Sequence, residues 1–336
     1  MEHSMVTIAS LAKDERAARI VLAATTEPGD TRTGRLVTAI GAVETVRLAA
    51  DEGTLPEILD AVEGELWSRQ VAPRLLASVA KLAMRETDQL GLEVLVPGDA
   101  SWPAGLNGLQ DREPLALWMR GATSFLSVPL RDRVTFTGAR AATSYGVHVT
   151  TELASDLAKE ERIIVSGGSY GIDATAHRAA MAAGGSTIAV LPGGLDRPYP
   201  AGNRNLLRQV GDVGLLVSEL PPGTAPTRWR FLARNRLLAA LSSVTIVPEA
   251  GYRSGALGVV HEAHLLGREV GAVPGPITSV TSAGTHRLMR EGIARLVTNT
   301  QDVDDLIEAA SGKTAQVVGR SGVNQHRRVQ VPPRSL

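Results

Sequence analysis

Seven short apolar runs, at residues 133–136, 162–165, 187–191, 214–217, 244–247, 270–273 and 295–297, alternate with segments of helical periodicity. In the segment 145–160, Val149, Leu153 and Leu157 share one helix face. Runs that are apolar throughout belong to strands buried on both faces. Alternation with helices is what parallel pairing requires, because each crossover must return the chain to the same end of the sheet. The pattern predicts an α/β fold with a Rossmann-like, doubly wound, mainly parallel sheet. Gly138, Gly167, Gly168, Gly193, Gly194, Gly251 and Gly275 each fall just after a predicted strand. Such loops share the carboxyl edge of a doubly wound sheet, where ligands bind. One wall is therefore expected to collect Gly138, Ala139 and Arg140, the loop begun by Ser166, residues 193–196, Glu249, and Ser254 with Gly255.

The first part of the chain has a different texture. Residues 1–90 are rich in Ala and Leu, and Leu36, Val37, Ile40, Val43 and Val46 recur at spacings of three and four. This predicts a small all-helical amino-terminal domain, SAM-like or helix-hairpin-helix-like. Residues 36–48 around Gly41 are similar to half of a helix-hairpin-helix, a module that touches DNA backbone through its turn; a plain helical bundle is the alternative. Residues 91–132, with Pro114, Gly121 and Pro129, read as a linker into a main domain at 133–310. Residues 311–336, with Arg320, Arg327, Arg328 and Arg334, read as a disordered basic tail.

Composition removes several chemistries. A chain of 336 residues, 43% hydrophobic and 21% charged, is an ordinary globule with room for one or two domains. It contains no run of eighteen apolar residues, and its first residues include charges where a signal peptide needs an apolar stretch; a cytoplasmic protein without membrane association is expected. The absence of cysteine excludes disulfides, thiolate nucleophiles and Cys-ligated zinc. His261 and His264, flanking Glu262, come nearest to a metal motif and read as an ordinary helix face, so neither metal nor cofactor is expected. Net charge is zero, so any contact with nucleic acid must be local. Lysine occurs only at Lys13, Lys81, Lys159 and Lys313; arginine, suited to bidentate grip on phosphate, supplies the remaining positive charge.

A local polyanion site is what residues 162–177 suggest. A buried strand, then Ser166, Gly167, Gly168, Ser169, Tyr170 and Gly171, then a helix start at Asp173 has the layout of a phosphate cradle. Small residues let the backbone approach an anion, and a new helix offers unpaired N–H groups and the positive end of its dipole. Arg234, Asn235 and Arg236, with Arg204, would add fixed charge. Tyr170 is the expected stacking residue, whereas Phe231 is expected in the core. Asp173 and His177, four apart, read as a helix cap and a buried hydrogen bond rather than an acid–base pair. Glu249, at a strand end, would orient a sugar hydroxyl or Arg234. The glycine spacing is not the dinucleotide fingerprint.

Taken in order, these motifs resemble the DNA-processing protein A (DprA, also called Smf) family over roughly residues 91–297. The resemblance rests on Phe136 to Arg140, Ser166 to Asp173 with His177, Gly194 to Asp196 with Tyr199 and Pro200, and Ser218 with Glu219. It continues through Phe231 with Arg234 to Arg236, Glu249 with Ala250, Ser254 with Gly255, and Val273 to Gly275. The chain departs from the family pattern at Ser169, Asn205, Pro248, residues 258–260 and His286, and no winged-helix domain of the kind that ends many members is expected. The resemblance implies a dimeric protein of natural transformation and recombination that binds and protects single-stranded DNA, helps load the RecA recombinase, and catalyses no reaction. Gly138, Arg140, Ser166, Gly167 and the 234–236 cluster match motifs associated with strand binding. A rival reading is a phosphoribohydrolase-like, nucleotide-processing enzyme using Glu249, whose glycine loop would begin at Pro192, Gly193 and Gly194 but breaks at Leu195. A third is a sensor of nucleotide ligands in the same pocket.

Overall fold

The computed structural model describes residues 8–323. Helices α1 (Ile8–Leu11), α2 (Glu15–Thr25), α3 (Thr31–Ile40), α4 (Ala42–Ala49), α5 (Ala61–Val71) and α6 (Ala77–Gln89) form the amino-terminal unit. Asp14, Asp30 and Asp60 begin α2, α3 and α5 by accepting the N–H of the third residue on, which satisfies a donor that the helix itself leaves open. The helices close around Trp67, which is fully buried and donates its indole N–H to Thr33 Oγ1 at 2.9 Å. Gly41 alone joins α3 to α4. At this turn, the one similar to a helix-hairpin-helix, the Ala42 N–H already donates to both carboxylate oxygens of Glu15, at 3.1 and 2.9 Å. The amide that a DNA backbone would use there is engaged within the unit.

Strands β1 (Glu93–Leu95), β2 (Leu117–Gly121), β3 (Arg133–Phe136), β4 (Ile163–Ser166), β5 (Thr187–Leu191), β6 (Leu215–Ser218), β7 (Val244–Val247), β8 (Glu269–Ala272) and β9 (Arg295–Leu296) form one sheet. Its order is β1-β2-β6-β5-β4-β3-β7-β8-β9. From β6 through β9 every pairing is parallel, whereas β1 and β2 are antiparallel additions at one edge. The chain is thus α/β with a Rossmann-like, mainly parallel sheet, and the expected strands shift by at most one residue at either end. The exception is 91–132. Read as a linker, it supplies β1 and β2, which are short and bracketed by Pro and Gly, so no alternation marks them. Trp118 on β2 is fully buried and donates to Thr87 Oγ1 of α6 at 2.9 Å. Around it Ala23, Leu191 and Leu207 share one apolar cluster, so the helical unit and the sheet have a common core.

Helices α7 (Ser144–Lys159), α8 (Ile172–Ala182), α9 (Arg204–Val213) and α13 (Thr300–Val323) cover one face; α10 (Arg228–Ala240), α11 (Leu257–Leu265) and α12 (Ala283–Arg290) cover the other. This double cover is why the strands lack polar alternation. Strand order reverses between β3 and β7, which places the switch point of the sheet at their carboxyl ends. The backbone of 311–323, expected to begin a disordered tail, continues α13, while Arg327, Arg328 and Arg334 lie outside the described residues. Among the described residues no helix is long and apolar enough to cross a membrane, and no group of three or more His, Cys, Asp or Glu side chains is placed to hold a metal ion.

Candidate nucleic-acid interface

A cleft of about 540 Å³ opens beside the carboxyl end of β3. The loop after β3 contributes Thr137, Gly138 and Arg140; the loop after β4 contributes Ser169 and Asp173; the turn after β7 contributes Ser254, Gly255 and Ala256. The remaining wall is α10, begun by Thr227, whose hydroxyl accepts the Arg230 N–H at 3.2 Å. Arg228, Phe231, Leu232 and Asn235 recur at helical spacing, so one side of α10 looks into the cleft.

Two guanidinium groups approach the Phe231 ring. The Cζ of Arg140 is 5.0 Å and that of Arg234 5.8 Å from its ring centroid, and Tyr199 meets it edge-on at 5.8 Å. The expectation that Phe231 belongs to the core is corrected: α10 overruns the carboxyl edge of the sheet, and its buried residues begin only at Arg234. Arg140 is exposed, and neither it nor Arg228 has a carboxylate ion-pair partner among the described residues.

The predicted basic cluster divides. Arg234 is buried and donates from Nη1 to the Val190 carbonyl at 2.6 Å, while its Nε is buried without a partner among the described residues. It crosses Gly167 so closely that a β-carbon there would lie 2.0 Å from Nη1. Burial pushes its pKa down to about 10, against the pull of Asp173, which leaves it cationic at neutral pH. Arg236, two residues on, points about 200° away around the helix. It forms a buried two-point pair with Glu219, Nη1 at 2.7 Å and Nη2 at 2.5 Å, and its Nε donates to the Arg112 carbonyl at 2.8 Å. Arg236 is therefore a buried structural tie facing Glu219, outside the cleft lining. Arg230 also faces away from the cleft: it grips Glu27 of the helical unit at 3.1 and 3.2 Å, and Arg74 reaches the same carboxylate at 2.9 Å.

The cradle itself is occupied by the protein. Ser166 is fully buried and donates its hydroxyl to the Phe136 carbonyl at 2.7 Å, so it faces no ligand. Gly171, with φ +71°, holds the turn into α8 against the Ala139 and Arg140 carbonyls, where a β-carbon would fall 2.2 and 2.5 Å away. The Ile172 N–H donates to Ala139 O at 3.2 Å, and Asp173 accepts the Ser169 N–H at 3.3 Å. The first amide of α8 and the Ser169 amide of the loop thus have internal acceptors, and the exposed positive charge of this edge comes from arginine. Burial raises the pKa of Asp173, opposed by Arg234 and Ser169. Gly168, at φ +69°, passes its carbonyl to the Asn203 amide at 3.0 Å, which ties α9 to the loop.

Tyr170 and Arg204 are exposed but do not line the cleft; the Tyr170 hydroxyl accepts the Gly202 N–H at 3.2 Å on the outer side of the loop. Residues 193–196 also turn away, with Gly194 donating to Thr224 O at 2.9 Å and Asp196 accepting the Gly223 N–H at 2.9 Å. Glu249 does not orient Arg234. Its carboxylate accepts from Thr143 N at 2.9 Å, Thr143 Oγ1 at 2.6 Å and Thr281 Oγ1 at 3.0 Å, fixing the start of α7. His177 Nδ1 is 2.7 Å from Thr187 Oγ1, which itself donates to Ile164 O, so the ring nitrogen carries the proton. Burial, aided by Arg178 and Arg234, lowers its pKa to about 3.

Arg228, Leu232 and Thr137 were not singled out from sequence. Counting back along α10 from Asn235 in steps of three and four reaches Leu232, Phe231 and Arg228, and that spacing would have found the two on α10.

The family model of DNA recombination-mediator protein A matches residues 93–309. Over 291 residues the chain is 42% identical to a putative DNA processing protein DprA of Mycobacterium tuberculosis, covering 84% of this chain and 72% of that protein. It is 40% identical over 205 residues to DprA of Streptococcus pneumoniae, covering 61% and 71%. The X-ray structure of the Streptococcus pneumoniae protein superposes with a TM-score of 0.68 at 30% identity, covering 89% of this chain and 97% of that one. DNA processing protein A of Helicobacter pylori, solved for its single-stranded DNA binding mode, gives a TM-score of 0.58 at 32% identity, covering 66% and 97%. With a sheet, a cleft and a motif order that run through the matched region, the chain belongs to the DNA recombination-mediator protein A family.

Proposed function

We propose that the protein binds single-stranded DNA along the α10 cleft and acts as a recombination mediator rather than an enzyme. One observation carries this reading: Phe231 is flanked by Arg140 and Arg234, with Arg228 on the same wall. Flat rings stack on unpaired bases whatever their identity, and fixed cations neutralise the phosphates between them. Bases in a duplex are already stacked, so this arrangement favours the single strand. The single-strand binding described for the Helicobacter pylori relative agrees with it. The family resemblance adds the finer roles: a cytoplasmic homodimer of natural transformation that protects incoming strands and helps load RecA. Glu249, bonded to Thr143 and Thr281, gives the phosphoribohydrolase reading no free carboxylate.

Fluorescence anisotropy with matched single- and double-stranded oligonucleotides at two salt concentrations tests the proposal. The expected result is tighter binding to the single strand and a marked loss with salt. Equal affinity for both forms, or affinity insensitive to salt, would overturn it.

A further inference from the structure

The turn after β7 presents Ser254 and Gly255 to the cleft, and it has a second side. There Tyr252 is 58% exposed, with the Arg287 guanidinium of α12 5.2 Å from its ring centroid. Arg287 is itself held by Glu291 at 2.9 Å, so the cation beside the ring is anchored. The Tyr252 hydroxyl has no hydrogen-bond partner among the described residues, and the ring fills no core. Arg253, next in the chain, is exposed and without an ion-pair partner among the described residues. Tyr252 precedes Ser254 by two residues, a reach of about 7 Å at most. An aromatic ring backed by a fixed guanidinium, with a free cation alongside, repeats the chemistry of Phe231 with Arg140 and Arg234.

We infer that Tyr252 is a second stacking platform for a nucleobase, with Arg253 meeting an adjacent phosphate, so that a strand leaving the cleft crosses the 251–256 turn. Guanidinium contact strengthens a ring as a stacking surface by fixing its position and shielding one face, leaving the other to the base. The inference rests on the proposed single-strand binding and lengthens its path.

The test compares the full chain with its Tyr252→Ala, Tyr252→Trp and Phe231→Ala variants on oligothymidylates of about 4 and about 16 nucleotides, by anisotropy, with mass photometry alongside. Tyr252→Ala is expected to weaken binding of the long oligonucleotide about 5- to 150-fold, leave the short one unchanged, and be rescued by Tyr252→Trp. Unchanged affinity of Tyr252→Ala for both lengths, while Phe231→Ala loses both, would overturn the platform and leave the cleft reading intact. A changed oligomeric mass with unchanged DNA affinity would also overturn it, by making Tyr252 a protein contact. Full binding by Phe231→Ala at both lengths is the separate result that removes the cleft reading.

Discussion

Arg234 lies where a side chain on Gly167 would have to go, with Nη1 2.0 Å from the position of a β-carbon. The first prediction concerns this contact. Gly167→Ala should push the guanidinium off the Val190 carbonyl and away from Phe231, at a cost of about 1–3 kcal/mol in stability from overpacking. Strand affinity should fall with it. A thermal melt and an anisotropy titration of the one variant check both effects, and wild-type affinity would show that Arg234 is not a strand contact.

Arg140 and Arg236 should behave oppositely on replacement by Ala. Arg236 is 2% exposed and Glu219 9%, so its loss strands a buried carboxylate and should destabilise by about 3–5 kcal/mol. Arg140 is exposed, so its loss should leave the melting temperature nearly unchanged. If it neutralises one phosphate, the dependence of log affinity on log salt becomes shallower by about 0.7. Melting curves and a salt series separate the two roles.

Phe231→Ala should weaken single-strand binding by about 1–3 kcal/mol, the usual worth of one stacked base, and Phe231→Trp should preserve it. Because the ring is half-buried at the open end of α10, the fold should tolerate both changes. Competition titrations with a labelled oligonucleotide measure the difference.

His177 gives a pH prediction. Its folded pKa is about 3 against 6.5 for the free side chain, so between those values the unfolded chain binds a proton that the folded chain does not. Stability therefore falls as pH drops through this window. Asp173 acts in the opposite sense: its folded pKa lies above 3.8, so the fold binds the extra proton just above that value and gains stability as pH falls through it. His177→Gln, which keeps a donor toward Thr187, should flatten the acid limb of melting temperature measured from about pH 8 to about pH 4. An unaltered limb would place the acid sensitivity elsewhere.

The sheet was legible because each of the parallel strands β3 to β8 is buried throughout, and a run such as 187–191 admits few other folds. Strand β2 was not, since its register depends on a long-range pairing of Trp118 with Ser218 that no local pattern announces. At the cleft, Gly138, Arg140, Ser254 and Gly255 stand on the wall where the sequence placed them, whereas residues 193–196 do not. Arg236 was misread because adjacency in sequence says nothing about which way a helix turns a side chain. Ser166 and the Ile172 amide were misread for a related reason: the Phe136 and Ala139 carbonyls that engage them come from the end of β3 and the loop after it, distant in sequence. Phe231 was misplaced because the point at which a helix outruns its sheet is fixed by tertiary packing.

One helix, α10, is gripped from two directions: Phe231 looks toward the cleft while Arg230 clasps Glu27 in the amino-terminal unit. It works as a lever with its load at one side and its fulcrum in another part of the molecule. Screens for defects in strand handling should therefore recover changes at Glu27 and Arg74, residues outside the cleft lining.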